Sequence, residues 1–262
     1  MDYLKSNGYM VIDNVLSPEE VDFATKLFHE WRIKNQIVSE NNGLIHSHNA
    51  GHQEHAWYIR TSTNVTNIFK QLWNTNDLIV SFDGCCYMGP EDHYDGKWTH
   101  VDQSPNNTEF RGYQGFVSLT DNQEKTLLVY DRSHLMYDSY VKERGLTGDK
   151  NFLMIDRDYL EPLEKTALDV KKGSLVVWDS RLFHQNQAPS SSEERLVQYV
   201  SYMPRNHKDN TKTNEDKRLH AFKNGITTTH WAAPMKRHSW ASDEQKIIFD
   251  MKHYGNSIYN LI

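Results

Sequence analysis

The octapeptide WTHVDQSP sets His100 and Asp102 two residues apart. In an extended chain residues i and i+2 point to the same side, so one strand can offer an imidazole and a carboxylate to a single ion. Spacing alone does not select this pair. With 14 histidines and 20 aspartates among 262 residues, about one His-x-Asp is expected by chance, and three occur, at 93–95, 100–102 and 207–209. His93 and Asp95 lie in the loop-like GPEDHYDGK, and His207 and Asp209 in the polar RNHKDNTKTNEDK. Both settings read as solvated surface. His100 and Asp102 instead follow Trp98 and lead into the strand-like YQGFVSL.

Two ligands seldom hold a catalytic metal. The best third donor is His184, at the end of the apolar run in KKGSLVVWDSRLFHQNQAP; the competing reading of that residue is a core histidine satisfied by hydrogen bonds. Arg195 stands eleven residues further on and opens RLVQYVSYM. An arginine that starts an apolar strand is costly to bury alone, and its fork of donors matches a carboxylate. A surface ion pair with Glu193 or Glu194 is the alternative. Two histidines and a carboxylate on one face of an iron leave three positions for the keto oxygen and carboxylate of a 2-oxo acid and for dioxygen, while Arg195 would grip the far carboxylate of that co-substrate.

These residues need a scaffold. SPEEVDFATKLFHEWRI has Ser17 as N-cap, Pro18 at the first helical position, and Val21, Ala24, Leu27, Phe28 and Trp31 at helical spacing, so it predicts an amphipathic helix after the short strand YMVIDNV. Residues 35–60 read as a long polar loop, and TNIFKQLWN as a second helix. Short strand-like runs follow: DLIVSFDGCCYM, RGYQGFVSLTD, TLLVYDRSH, GSLVVWDSRLFHQN and RLVQYVSYMP. Helices first and then many short strands predict an α+β chain built on a β-sandwich or small barrel, with a jelly roll the natural candidate.

Composition excludes several classes. The chain carries a net charge of −6, which disfavours general nucleic-acid binding, and its 12% aromatic content supplies large buried groups for a globular core. No apolar run approaches the roughly 18 residues of a membrane span, and no signal-like stretch is present, which predicts a cytoplasmic protein. Cys85 and Cys86 are neighbours and cannot staple distant segments, which fits a reducing compartment. Buried filler is the favoured reading of both, with redox or metal roles as alternatives.

The chain resembles the phytanoyl-CoA dioxygenase family of Fe(II)- and 2-oxoglutarate-dependent oxygenases through GYMVIDNVLSPEEV, WTHVDQSP, LLVYDRSHLMY, and KKGSLVVWDSRLFHQN followed by RLVQYVSYMPR, from about residue 8 to about residue 205. The resemblance implies a double-stranded β-helix, or jelly-roll, core with flanking helices, iron held by His100, Asp102 and His184, and 2-oxoglutarate bound through Arg195. Relatives often carry a small hydroxyl residue where Asn186 stands here; an amide can still donate a hydrogen bond to the co-substrate. Tyr87 lies near a family position that contacts the proximal carboxylate of 2-oxoglutarate, and a buried aromatic filler is the equal alternative. His134 of the DRSH turn is structural in such proteins. Halogenating relatives lack the metal carboxylate that Asp102 provides, so oxygenation, with hydroxylation foremost, is the expected outcome.

The family does not fix the substrate. Between Pro204 and Trp240 eight Lys and Arg face three acids. That basic stretch could draw an anionic small molecule, with Arg205, Lys217, Arg218 and Arg237 raising its local concentration and Trp231 or Trp240 closing as a lid; a solvated arm is the alternative. The chain is expected to form one domain over 1–262, with a core at about 8–205 and an extension at 206–262. A non-oxygenase jelly-roll protein that binds zinc or a ligand is the second function class, and Arg195 argues against it.

Overall fold

The computed structural model describes residues 1–38, 42–94, 96–243, 246–247 and 249–262. Asp95 of the first His-x-Asp pair lies outside the described residues.

Two antiparallel sheets carry the chain. The larger orders β1 (Tyr9–Ile12), β10 (Leu175–Asp179), β6 (Tyr113–Ser118), β12 (Arg195–Val200), β4 (Cys85–Met88) and β2 (Leu44–Ile45). The smaller orders β8 (Leu153–Met154), β5 (His100–Val101), β11 (His184–Asn186), β7 (Leu127–Tyr130) and β9 (Lys165–Ala167). A separate pair joins β3 (Leu78–Val80) to β13 (Tyr202–Pro204).

Strand periodicity divides the larger sheet into two buried faces. Leu175 and Val177 of β10, Cys85 and Tyr87 of β4, and Leu196 and Val200 of β12 pack into the core that also holds the helices. Val176 and Trp178, Cys86 and Met88, and Val197 turn the other way and meet Leu127 and Val129 of the smaller sheet. A strand buried on both faces reads as a continuous apolar run, which is why these segments are conspicuous in the sequence. Cys85 and Cys86 fall on opposite faces, both free and both fully buried, so they fill the two cores.

Three helices cover the outer face. After α1 (Asp2–Asn7), α2 (Pro18–Lys34) begins with a full capping box, in which Ser17 accepts from the Glu20 backbone and Glu20 from that of Ser17, and it buries Val21, Ala24, Phe28 and Trp31. Leu27 of the predicted stripe is only half-buried. α4 (Thr63–Trp73) contains the second predicted helix. The loop expected over 35–60 is corrected: it holds α3 (Glu54–Thr61), whose buried face includes His55 and Arg60 beside Ala56, Trp57 and Ile59. Polar residues on the buried side conceal its apolar period. On the far side, α5 (Tyr137–Glu143) and α6 (Arg157–Leu160) supply Tyr140, Tyr159 and neighbours to a third cluster against the smaller sheet.

His134 is 3% exposed and donates from Nε2 to the Lys5 carbonyl at 2.9 Å, so it anchors α1 and stays away from the metal candidates. Beyond β13, α7 (Lys212–Lys223) and the irregular segment after it fold back onto the sheets; Thr228 donates to the Phe82 carbonyl at 2.8 Å and Trp231 is buried. None of the described helices is long and apolar enough to cross a membrane.

Candidate metal centre

β5 and β11 are neighbours, and their register sets His184 directly opposite His100. Their rings lie 4.5 Å apart between centroids. His100 Nδ1 donates to the Trp98 carbonyl at 3.0 Å and His184 Nδ1 to the Leu182 carbonyl at 2.9 Å. A carbonyl can only accept, so each Nδ1 carries the proton and each Nε2 presents a lone pair. Fixing the tautomer through the second ring nitrogen is how metal-binding histidines are usually held.

Asp102 follows β5 and enters the same space. Its Oδ1 lies 3.3 Å from His100 Nε2 and its Oδ2 3.1 Å from His184 Nε2. The three donors lie within 4.8 Å of one another and all three residues are buried. Adjacent ligands at about 2.0–2.2 Å from one ion, at right angles, stand about 3 Å apart, so the donor spacing and the N,N,O set fit a first-row divalent metal. Burial opposes ionisation of Asp102, yet the charge that His230, His184 and His100 carry when protonated holds its carboxyl well below the usual carboxylate range.

Arg195 heads β12 on the face that looks toward the smaller sheet and is fully buried. Its Nη2 donates to Asn186 Oδ1 at 3.0 Å, while Nε and Nη1 have no partner. Glu193 instead accepts the backbone N–H groups of Gln123, Glu124 and Lys125, and Glu194 faces His29 at 3.9 Å. Among the described residues no carboxylate pairs with this guanidinium, so the surface ion pair does not form. Asn186, on β11 two residues past His184, also donates to the Tyr199 hydroxyl at 3.2 Å. It thus links the arginine to the wall of the cavity described next.

Tyr87 does not join them. β4 alternates, so Cys86 and Met88 face inward while Tyr87 faces the helices, where its ring packs 5.5 Å from Phe28 and under the Arg32 guanidinium at 4.5 Å. Burial and the Glu194 carboxylate push its hydroxyl up to about 12.

A cavity of about 400 Å³ opens over the three ligands. Trp98, Trp178 and Asn186 line it with them, together with the exposed Phe152 and Met154 and, from the extension, Thr229, His230, Lys236, Arg237, His238 and Trp240. The extension after residue 206 is therefore part of the cavity. Of the basic residues expected to attract substrate, Arg237 is placed there, together with Lys236. Arg205 is bound to Asp77 and to the Asn260 and Ile262 carbonyls, Arg218 is buried on the Asn210 side chain and the Ala232 carbonyl, and Lys217 lies on the exposed side of α7. Trp231 is buried under Arg111, so Trp240 is the tryptophan of the extension that faces the cavity.

Sequence reasoning missed His46 and Asp83, which meet at 3.4 Å in the cavity wall, and the stack of His238 on His46 at 3.5 Å. His46 hides in the Asn- and His-rich segment before α3. Asp83 carries a weak signal, an aspartate inside the strand-like run DLIVSFDGCCYM.

Residues 4–197 match the family Phytanoyl-CoA dioxygenase (PhyH). The chain is 25% identical over 275 residues to "Ava biosynthesis cluster protein O" of Aspergillus versicolor, covering 90% of this chain and 88% of that protein. Among solved structures it is similar to the non-heme alpha ketoglutarate dependent carbocyclase SnoK from nogalamycin biosynthesis, with a TM-score of 0.61 and 19% identity over 90% of this chain and 94% of the other. It is also similar to the epimerase SnoN, solved in complex with Fe3+, alpha ketoglutarate and nogalamycin RO, with a TM-score of 0.57 and 16% identity over 78% of this chain and 81% of the other.

Proposed function

The chain belongs to the phytanoyl-CoA dioxygenase family, and from that premise we propose that it is an Fe(II)- and 2-oxoglutarate-dependent oxygenase, foremost a hydroxylase, of a small molecule. The observation that carries this reading is the pairing of a buried His100–Asp102–His184 donor set with a buried guanidinium whose Nε and Nη1 have no acceptor. A zinc or lectin-like site has no use for the second feature. The two facing sheets are read as a jelly roll and the whole chain as one domain, because the extension walls the same cavity.

His100, Asp102 and His184 would hold the iron through two Nε2 atoms and the carboxylate. Iron and 2-oxoglutarate supply, when bound with dioxygen, the oxidant for a substrate C–H bond as 2-oxoglutarate is decarboxylated to succinate. The protein's own residues do the rest. Arg195 neutralises the far carboxylate of 2-oxoglutarate with donors that are already desolvated, and Asn186 holds the guanidinium in orientation through its Oδ1. The cavity, within the usual range for small-molecule sites, keeps the substrate against the ligands, and the wall from Thr229 to Trp240 excludes water.

The deciding experiment loads the apo-protein with Fe(II) and 2-oxoglutarate without oxygen, then admits oxygen and measures succinate with and without a panel of candidate small molecules. Oxygen-dependent succinate is expected from the wild type and not from Asp102→Ala. A wild-type protein that binds Fe(II) yet forms no succinate under any of these conditions would sink the reading.

A further inference from the structure

Asp102 lies just past β5, which is only two residues long. The ladder that fixes His100 therefore stops one residue short of Asp102, whose own backbone groups must be held by other means. Its N–H donates to the Ser180 carbonyl at 3.1 Å. Its carbonyl accepts from His230 Nε2 at 3.1 Å.

His230 lies outside the span that matches the family, which ends at residue 197. Its backbone is laced to the core on both sides. Thr228 exchanges two hydrogen bonds with Phe82, N–H to carbonyl at 2.8 Å and Oγ1 from N–H at 3.0 Å, and forms an isolated antiparallel bridge with Arg237. Trp231 is 1% exposed, with the Arg111 guanidinium 4.8 Å over its ring. Between two such anchors the imidazole has little freedom. The carbonyl of Asp102 can only accept, so Nε2 bears the proton and Nδ1, 3.8 Å from Asp102 Oδ1, bears a lone pair. At that distance no hydrogen bond joins the ring to the carboxylate, so the direct contact of His230 is the one to the backbone.

We propose that His230 is a positioning residue of the metal centre: its Nε2–H bond to the Asp102 carbonyl fixes the peptide from which the metal carboxylate is aimed, making the extension part of the ligand set's support. This rests on the metal-centre reading above. Partners of this kind set metal affinity by about 10–100-fold when removed. The geometry also dictates which substitutions preserve the function. A glutamine places its amide nitrogen near the position of imidazole Nε2 and can donate to the same carbonyl, whereas an asparagine is too short to reach it.

The test is calorimetric titration of the metal-free protein with Ni(II), and with Fe(II) under anaerobic conditions, for wild type, His230→Ala, His230→Asn and His230→Gln, alongside thermal unfolding of each apo-protein. Metal affinity should fall about 10–100-fold in His230→Ala and His230→Asn and stay within about threefold of wild type in His230→Gln. Should His230→Ala fail to fold, the contrast between Asn and Gln decides alone. Wild-type affinity in His230→Ala or His230→Asn, or a glutamine variant as weak as the asparagine one, would overturn the proposal. Failure of the wild type itself to take up either metal would instead refute the metal-centre reading.

Discussion

Arg195 and Asn186 are joined by one hydrogen bond, Nη2 to Oδ1 at 3.0 Å, and that bond is the guanidinium's side-chain partner in a site with no exposed surface. A charge left this way costs stability until an anion arrives. Arg195→Met should therefore weaken 2-oxoglutarate binding and at the same time leave the apo-protein as stable as wild type or more so. Truncating one member of a buried ion pair costs about 2–5 kcal/mol, which predicts a rise of roughly 30-fold or more in the 2-oxoglutarate dissociation constant. Calorimetry on the metal-loaded protein gives the first quantity and urea denaturation of the apo-protein the second. Unchanged co-substrate affinity would remove Arg195 from the site.

Tyr87 supplies the opposite expectation. Its side chain is on the helix-facing side of β4, packed on Phe28 and Arg32. Tyr87→Phe should leave 2-oxoglutarate affinity within about twofold, whereas Tyr87→Ala should cost about 3–5 kcal/mol of stability through the cavity it opens. A large loss of co-substrate binding in Tyr87→Phe would show that β4 presents the other face to the site.

How much was legible in the sequence follows from where each residue's constraint lies. His184 closes one apolar run and Arg195 opens another, where a polar residue is out of keeping with its neighbours and so conspicuous, while His100 and Asp102 stand out only by their spacing after Trp98. The sequence leaves Tyr87 between two readings because one position along a strand exchanges faces: the resemblance gives the neighbourhood, and only the register, Leu196 opposite Tyr87 and Val197 opposite Cys86, gives the side. α3 was invisible because its buried stripe includes a histidine and an arginine. His230 becomes a site residue only when the extension folds back to Asp102, 128 residues away in the chain, and Asp83 only when it meets His46 from the segment before α3, contacts with no local pattern.

Two histidines of the helical layer set a pH limit. His52 and His55 are fully buried, and burial first, then the nearby Arg60 charge, lowers each to about 3. Unfolded, each titrates near 6.5. The folded state holds both neutral, so their contribution is complete above pH 6.5 and is lost as pH falls from 6.5 toward 3. At pH 5 each should cost about 2 kcal/mol relative to neutral pH. His55 has no hydrogen-bond partner at either ring nitrogen and packs against Phe28 and Trp31, so His55→Leu is the clean variant. Urea denaturation of metal-free protein at pH 7 and pH 5 should show a loss about 2 kcal/mol smaller in that variant than in wild type; an equal loss in both would mean that His55 has no part in acid sensitivity.

Three exposed apolar side chains line the cavity: Phe152 just before β8, Met154 at its end, and Trp240 from the extension, all more than 40% exposed. Lys236, which has no ion pair among the described residues, lines the same cavity. An exposed cluster of this kind is normally covered by a ligand. Trp240→Ala should raise the KM for the substrate about tenfold or more, since burying such a ring contributes about 1.5–3 kcal/mol. It should also lower the ratio of oxidised product to succinate as water reaches the iron. Lys236→Ala should weaken binding of anionic substrates only, with an effect that shrinks as ionic strength rises, because the attraction is screened within about 8–10 Å near physiological salt. Lys217→Ala, on the exposed side of α7, serves as the control and should change neither quantity. Product and succinate measured together in each variant, at low and high salt, separate these outcomes: a product-to-succinate ratio that is unchanged in Trp240→Ala would leave the extension as a fixed wall of the cavity with no part in coupling.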